Sequence, residues 1–225
     1  MNNIHTRHCC AVPGCVSPTR SPRAHYCEAH RQRWKRHGHA QQQAVTKAMI
    51  RPYVARVRAI MAKGEAGRLD AALRQLHAVL ADHAAQVSAD HLNGKPSQKW
   101  GRIAAQELGK VVETTDPMSC AAVVVAVYLL QQERPQLFVD DTSFRFQLVR
   151  MFRAQAETAF GRYWDHGTGT SKTVYRDLSR KATQAMGRMI AETYARLVAH
   201  VIALDQADRI RQAAIASTLD AAFAA

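Results

Sequence analysis

Three cysteines and one histidine near the N-terminus constrain the fold of this chain more than any other feature. They are Cys10, Cys15, Cys27 and His30, in the spacing C-x4-C-x11-C-x2-H. Zinc takes four thiolate or imidazole ligands in a closed tetrahedron, and chains commonly supply them as two short pairs separated by a loop. So short a segment lacks an apolar core of its own. The spacing therefore predicts a small module that folds around a metal ion.

The residues within each ligand pair suit this role. Pro13 and Gly14 stand directly before Cys15 and permit the tight turn that lets the first two sulfur atoms face one ion. Cys27 and His30 are three residues apart, so on a helix they lie on the same face one turn apart. A knuckle that supplies the first two ligands, a loop, and a helix that supplies the other two are the arrangement of a treble-clef-like finger. Because protein groups fill all four positions, the predicted zinc ion (Zn2+) is structural and not catalytic.

Three neighbouring residues, His8, Cys9 and His25, are alternative ligands. Cys9 in place of Cys10 gives C-x5-C, which is a less usual turn, and reduced, buried cysteines without a metal are the plainer alternative. The N-terminus is polar and His-rich, so no secretory signal is predicted, and clustered cysteines then favour metal over disulfides. The longest strongly apolar run, residues 120–130, is too short to span a bilayer. We expect a cytoplasmic protein with no membrane partner.

Positive charge is concentrated in the first third of the chain. Of the formal net charge of +13, residues 1–68 hold +11 (13 Lys and Arg against two Glu) and residues 69–225 hold +2. A localised basic footprint is the electrostatic signature of phosphate binding. The charge pattern therefore favours nucleic acid as the partner, with an acidic protein surface as the alternative.

A basic helix is predicted to follow the second ligand pair, beginning near Cys27 and ending at Gly38. Trp34 lies one turn beyond His30 and is expected to pack over the metal site rather than to stack on a base. Four cations of this helix are predicted to contact phosphates: Arg31, Arg33, Lys35 and Arg36.

Two further stretches are candidates for nucleic-acid binding. Arg51, Arg56, Arg58 and Lys63 form a second basic strip, for which an ordinary solvated helix face is the alternative. The loop at residues 167–172 ends in Lys172 and is followed by Arg176, Arg180 and Lys181. Its glycines and hydroxyls suit the approach of a phosphate at a helix N-terminus. A plain connection between helices is the favoured interpretation of that loop, and the spacing of a P-loop is absent.

The head resembles a known class of zinc knuckle through the pattern C-x4-C … Y-C-x2-H-x2-R-W-x-R-H-G. The matching residues are Cys10, Cys15, Tyr26, Cys27, His30, Arg33, Trp34, Arg36, His37 and Gly38. The pattern is similar to short zinc knuckles of bacteriophage and mobile-element proteins, some of which accompany HNH-type homing endonucleases and help anchor DNA. The resemblance covers about 30 residues and implies DNA association in a mobile-element setting. It does not imply nuclease activity, and it does not extend to the rest of the chain.

The remainder of the chain is predicted to be mainly α, a helical bundle at residues 44–225 behind a zinc-knuckle module at residues 1–43. Gly64 and Gly67 are expected to separate the first two helices of the bundle, and Ser97 is expected to cap the next one. Asp116 followed by Pro117 is a strong start signal.

The second half of the bundle is predicted from its apolar pattern. Residues 118–130 are apolar nearly all round and predict a central buried helix, with a strand as the alternative because of four valines. A further helix is predicted to start at Asp141 or Thr142 and to run through Phe160, Tyr163 and Trp164. One or two long helices follow from Thr173, and their narrow stripe of Ala and Met also suits a homodimer interface.

No catalytic constellation stands out, and we expect a non-catalytic protein. The least implausible site is Asp165 with His166, although neighbours in sequence usually point apart. The sequence thus favours a zinc-dependent protein that binds nucleic acid, with double-stranded DNA preferred and structured RNA as the first alternative. The second alternative is an interaction protein whose basic head binds an acidic partner. The helical body is expected to position the head or to dock a protein partner.

Overall fold

The fold was analysed in a computed structural model that describes residues 8–63, 66–156, 159–175 and 177–224. Helices dominate the described residues, which confirms the predicted mainly α fold class with a small N-terminal Cys/His module. The elements are α1 (Glu28–His37), α2 (Lys47–Lys63), α3 (Ala66–Leu92), α4 (Lys99–Thr114), α5 (Pro117–Glu133), a short 3-10 turn (Pro135–Leu137), α6 (Asp141–Arg153), β1 (Ala159–Asp165), β2 (Thr170–Tyr175) and α7 (Arg180–Ala224).

Aspartate caps fix the start of two central helices. The Asp116 carboxylate accepts the Ser119 backbone N–H at 2.9 Å, and Pro117 occupies the first position of α5, as the sequence predicts. The Asp140 carboxylate accepts a backbone N–H at the start of α6 in the same way. These caps satisfy backbone donors that have no partner inside the helix.

Other predicted boundaries are wrong in detail. Gln98, not Ser97, holds the cap position of α4, and it makes no side-chain cap hydrogen bond. Gly67 lies inside α3, which begins at Ala66, while Gly64 lies outside the described residues. The boundary between α2 and α3 thus falls near these two glycines, as predicted, but Gly67 is the second residue of α3, because the helix propensity of a single glycine is a weak signal.

Helix α5 is the centre of the bundle, and the strand alternative for this segment is wrong. It packs against α2, α3, α6 and α7, and the side chains of residues 120–130 are all buried except that of Tyr128, which is partly buried. Alanine and valine make up most of this stretch, and their small side chains let the neighbouring helices approach from all sides. A helix that is apolar all round is a buried helix.

A β-hairpin occupies a region that the sequence pattern predicts as helix. Helix α6 ends at Arg153, and β1 pairs antiparallel with β2, with Asp165 opposite Thr170. The helix predicted through Phe160, Tyr163 and Trp164 is therefore wrong, and so is the helix start at Thr173, because α7 begins only at Arg180. Aromatic and β-branched residues in this region have high strand propensity, and the turn uses Gly169 at φ 61°.

Helix α7 is long, and only its first half packs in the core. Its buried side chains end near Val201 and Asp205. Four large apolar side chains further along are exposed: Ile210, Ile215, Leu219 and Phe223. The predicted dimer interface on this helix stays a prediction.

The N-terminal module packs directly on the helical body. Its last helix, α1, ends at Gly38, which has φ 88° and lies against the Phe146 ring and the Ser143 backbone of α6. Beyond α1, the buried Gln42 side chain donates to the Leu137 carbonyl at 2.8 Å and accepts the Val139 N–H at 3.0 Å. The predicted end of the helix at Gly38 is confirmed, while the division at residue 43 stays a prediction.

We predict that Gly38→Ala destabilises the protein more than Gly94→Ala does. Both glycines have positive φ, but a Cβ at Gly38 meets Phe146 Cδ2 at 3.1 Å, whereas a Cβ at Gly94 meets nothing within 4 Å. We expect Gly94→Ala to lower the free energy of unfolding by about 1 kcal/mol through backbone strain. Gly38→Ala should cost about 1–3 kcal/mol more, because the α1–α6 contact is overpacked. Equal losses in urea denaturation would contradict this account of the contact.

Candidate metal centre and basic cleft

A tight turn presents the first ligand pair. The Cys15 N–H donates to the Val12 carbonyl at 3.0 Å, and Gly14 takes φ 77° within this turn. The Ala11 N–H donates to the His25 carbonyl at 2.8 Å, which ties the first pair to the chain just before the second pair. The predicted turn at Pro13 and Gly14 thus lies where the knuckle needs it.

The start of α1 presents the second ligand pair. Cys27 occupies the cap position, its carbonyl accepts the Arg31 N–H at 2.8 Å, and His30 lies in the first turn. Arg31 forms a bidentate ion pair with Glu28, with distances of 2.9 and 2.7 Å. This hydrogen bonding fixes the first turn, so that the Cys27 and His30 side chains point the same way.

The four ligand atoms of Cys10, Cys15, Cys27 and His30 all lie within 4.8 Å of one another. The His30 Nδ1 atom is 3.3 Å from both the Cys10 and Cys27 sulfur atoms, and the Cys15 and Cys27 sulfur atoms are 3.9 Å apart. A zinc tetrahedron with Zn–S and Zn–N bonds of about 2.3 and about 2.0 Å has edges of about 3.8 Å (S···S) and about 3.5 Å (S···N). The four residues are therefore close enough to bind a metal ion and fit that donor geometry.

The electrostatics of the cluster also suit a cation. A hydrogen bond from the Ser17 backbone lowers the pKa of the Cys15 thiol. The His30 backbone N–H acts to lower the pKa of Cys27, but burial and the neighbouring thiols outweigh it and the pKa is raised. Converging thiolates repel one another, and a divalent ion among them removes that penalty.

The alternative ligands lie outside this cluster. His8, Cys9 and His25 are exposed, and Cys9 instead forms an isolated antiparallel bridge with Pro18. None of the five cysteines forms a disulfide. The metal-ligand set predicted from spacing is thus the one whose atoms converge.

Trp34 packs over the module, as predicted. Its ring lies 6.4 Å from the Tyr26 ring and against the small core that includes Cys10 and Cys27. The opposite contact is the Arg180 guanidinium, 4.0 Å from the centre of the indole. Trp34 is therefore held between the metal site and the helical body.

The predicted phosphate-binding cations of α1 divide into two groups. Arg33, Lys35 and Arg36 are exposed, whereas Arg31 is paired with Glu28. The charges of Arg33, Lys35 and Arg36 are therefore available to bind an anion from outside the protein.

The second predicted strip does not form one cationic surface. Arg56 makes ion pairs with Glu133 at 2.8 Å and with the buried Asp205 at 3.0 Å, so it is engaged inside the bundle. Arg51 and Arg58 are exposed, and Arg58 donates to the Ser119 hydroxyl. The backbone of Lys172 lies in β2, and its side chain lies outside the described residues.

A basic cleft of about 1040 Å³ lies between α1, the start of α2, α6 and the entry to α7. Its cationic lining residues are Lys35, Arg36, Lys47, Arg150, Arg153 and Arg180. The one carboxylate among its described lining residues is Asp177. Of these cations, Lys35 and Arg36 were predicted to contact phosphate on α1, and Arg180 was named with the loop at residues 167–172. Arg150 and Arg153 were missed because α6 has the pattern of a core helix, and the two arginines in its last turn depart from that pattern.

His37 and Arg150 line this cleft side by side and are both partly buried. An Arg150 Nη1 atom lies 3.0 Å from His37 Nδ1 and 3.0 Å from Gln147 Oε1. Burial, followed by the charges of Arg150, Arg36 and Arg33, lowers the pKa of His37 from 6.5 to about 4. His37 is therefore neutral at pH 7 and accepts a hydrogen bond from Arg150.

The chain matches no protein-family model, and comparison with curated proteins and with solved structures gives no match. Among the described residues, no helix combines the length and apolar character needed to cross a bilayer.

We predict that Cys10→Ser abolishes stoichiometric metal binding and that Cys9→Ser does not. The two cysteines are adjacent, but only the Cys10 sulfur lies in the ligand cluster. The binding of Co²⁺, followed by thiolate-to-metal absorption, measures the site directly. Cys10→Ser should also loosen the module while leaving the helical signal of the body in place. Loss of metal from Cys9→Ser alone would reverse the assignment.

We predict that His37 contributes to the pH dependence of stability. Its pKa is about 4 in the folded protein and 6.5 ordinarily, so the unfolded chain binds the proton more readily. The free energy of unfolding should therefore fall as pH decreases from 6.5 to 4, and this contribution is fully present above that range. Denaturation of wild type and His37→Gln across this range tests it, with exposed His83→Gln as the control. A pH dependence unchanged in His37→Gln would contradict the prediction.

Proposed function

We propose that this chain is a non-catalytic nucleic-acid-binding protein that holds double-stranded DNA through its basic N-terminal module. The observation that carries the proposal is the position of exposed Arg33, Lys35 and Arg36 on the same short helix that supplies two candidate metal ligands. Phosphate contacts need cations that are held at fixed positions relative to one another. A helix that is stabilised by a bound metal holds its cations in this way without a large hydrophobic core.

In this proposal the bound metal is zinc, and its role is structural. Three thiolates and one imidazole form a donor set that zinc favours, and they leave no ligand position for water or substrate. When bound, zinc neutralises the converging thiolates and fixes α1 against the knuckle. The arginines and lysine of α1 then make the contacts with the ligand.

The charge distribution supports nucleic acid over a small anion as the physiological ligand. The excess of positive charge lies in residues 1–68, the part of the chain that contains the module and α2. An extended basic surface binds an extended polyanion and gains affinity from the release of its counterions. The module also resembles the zinc knuckles of phage and mobile-element proteins. On the basis of this resemblance we propose DNA as the nucleic acid and a mobile element as the setting.

The proposal gives the helical body a positioning role and assigns no catalytic residue. The pair considered from sequence, Asp165 and His166, lies in the hairpin, where the Asp165 carboxylate accepts the Gly167 N–H at 2.9 Å. That hydrogen bond gives Asp165 a turn-forming role. Structured RNA and an acidic protein are the competing ligands, and the binding test below separates them.

We predict that metal-loaded protein binds duplex DNA with strong salt dependence and that Arg33→Ala with Arg36→Ala weakens it. Each lost phosphate contact should make the slope of log affinity against log salt shallower by about one. The matched control is Arg188→Ala with Arg196→Ala, which removes the same charge from exposed positions on α7. Fluorescence anisotropy with duplex DNA, hairpin RNA and a polyglutamate of equal charge identifies the preferred ligand. Equal slopes for both double variants, or preference for polyglutamate, would contradict the proposal.

A further inference from the structure

Arg150 is a largely buried cation whose charge is not neutralised by the described residues. Burial lowers the pKa of its guanidinium, and nearby Arg36 lowers it further. Its described polar contacts are neutral groups, the His37 ring and the Gln147 side-chain oxygen. A desolvated cation is costly unless an anion compensates it. The position of Arg150 in the lining of an open cleft leaves room for that anion to come from outside.

The other cations of the cleft fall into two classes. Arg153 pairs with the buried Glu107 at 3.2 Å, and Arg180 donates to the Trp34 and Gly38 carbonyls, so both have structural roles. Three remaining cations surround the opening: Lys35, Arg36 and Lys47. Lys47 makes one described hydrogen bond, to the Ala154 carbonyl at 3.0 Å.

We propose that this cleft binds a phosphate group, with Arg150 as the buried anchor and Lys35, Arg36 and Lys47 at the rim. The phosphate belongs to the backbone of the bound nucleic acid, and this assignment rests on the proposed function above. The cleft then adds contacts from α2 and α6 to those of α1, so the nucleic acid bridges the module and the helical body.

The chemistry of the cleft favours an oxyanion over a neutral ligand, and the proposed function identifies that oxyanion as a backbone phosphate. A planar guanidinium pairs with two oxygens of one anion at once, and lysines at the rim add charge without demanding a fixed geometry. The start of α7 also lines the cleft, at Ser179 directly before the helix and at Arg180, and a helix N-terminus favours an anion. The volume of 1040 Å³ accommodates a phosphate with its attached sugar.

The pKa of His37 should change when an anion occupies the cleft. It faces Arg150 and Gln147 of α6, and Arg33 and Arg36 of its own helix. These cations oppose its protonation in the ligand-free protein. A phosphate anion bound to Arg150 offsets their charge, so it should raise the pKa of His37 by about one pH unit or more.

The first test uses variants of the full-length, metal-loaded protein. Arg150→Gln and, separately, Lys47→Ala should each weaken duplex DNA binding by about tenfold and make the salt slope shallower by about one. Arg188→Ala is the control, since Arg188 is an exposed cation on α7 that does not line the cleft and lies outside the basic N-terminal third of the chain. Lys47 is exposed, so its variant keeps the test valid if Arg150→Gln fails to fold. Equal effects of Lys47→Ala and Arg188→Ala would overturn the cleft assignment even if α1 variants still lose binding.

The second test follows the His37 ring by NMR during titration with inorganic phosphate and with a short duplex. A rise in the His37 pKa with both ligands supports phosphate binding in the cleft. A rise with inorganic phosphate in a protein that binds no duplex supports the cleft and overturns the proposed function. No change with either ligand overturns the cleft assignment, and duplex binding in the same sample would leave the proposed function standing.

Discussion

The guanidinium of Arg180 holds the N-terminal module, with its candidate metal site, in place on the helical body. It donates to the Trp34 and Gly38 carbonyls at 2.6 and 2.7 Å, which are carbonyls at the end of α1 that lack partners within the helix. The same group lies 4.0 Å from the Trp34 ring and 5.3 Å from the Phe146 ring. One cation thus caps the helix of the module and joins it to α6 and α7.

This arrangement connects the metal centre to the basic cleft. The candidate ligands fix the start of α1, Arg180 fixes its end, and the cleft forms along the side of α1 that faces α6. A disturbance of the four candidate ligands would therefore change the cleft as well as the knuckle. Under the proposed function, metal binding and phosphate binding are coupled through a helix of ten residues.

The described body supports the cleft through buried polar groups. Glu107, only 3 % exposed, pairs with Arg153 and Lys110, and Gln147 accepts the Val45 N–H at 3.0 Å. These contacts hold the lining side chains of α6 in place from behind. Buried polar groups that are satisfied in this way rigidify a site. Arg150 donates to one of them, Gln147, but has no carboxylate partner among the described residues, and under the proposal above a bound phosphate supplies that anion.

The sequence alone determined the helical class of the body and the helix boundaries at Asp116 and Gly38, and it favoured the four candidate metal ligands over His8, Cys9 and His25, because each depends on residues close together in the chain. The tertiary structure decided the features that depend on distant residues. A hairpin after α6 takes the place of a predicted helix. The pairing of two strands depends on contacts between separate segments, and the apolar periodicity of a single segment does not contain that information. Arg56 turns inward because Glu133 and Asp205 meet it from two other helices. The basic cleft exists only because α1, α2, α6 and α7 converge, and no local pattern encodes that convergence.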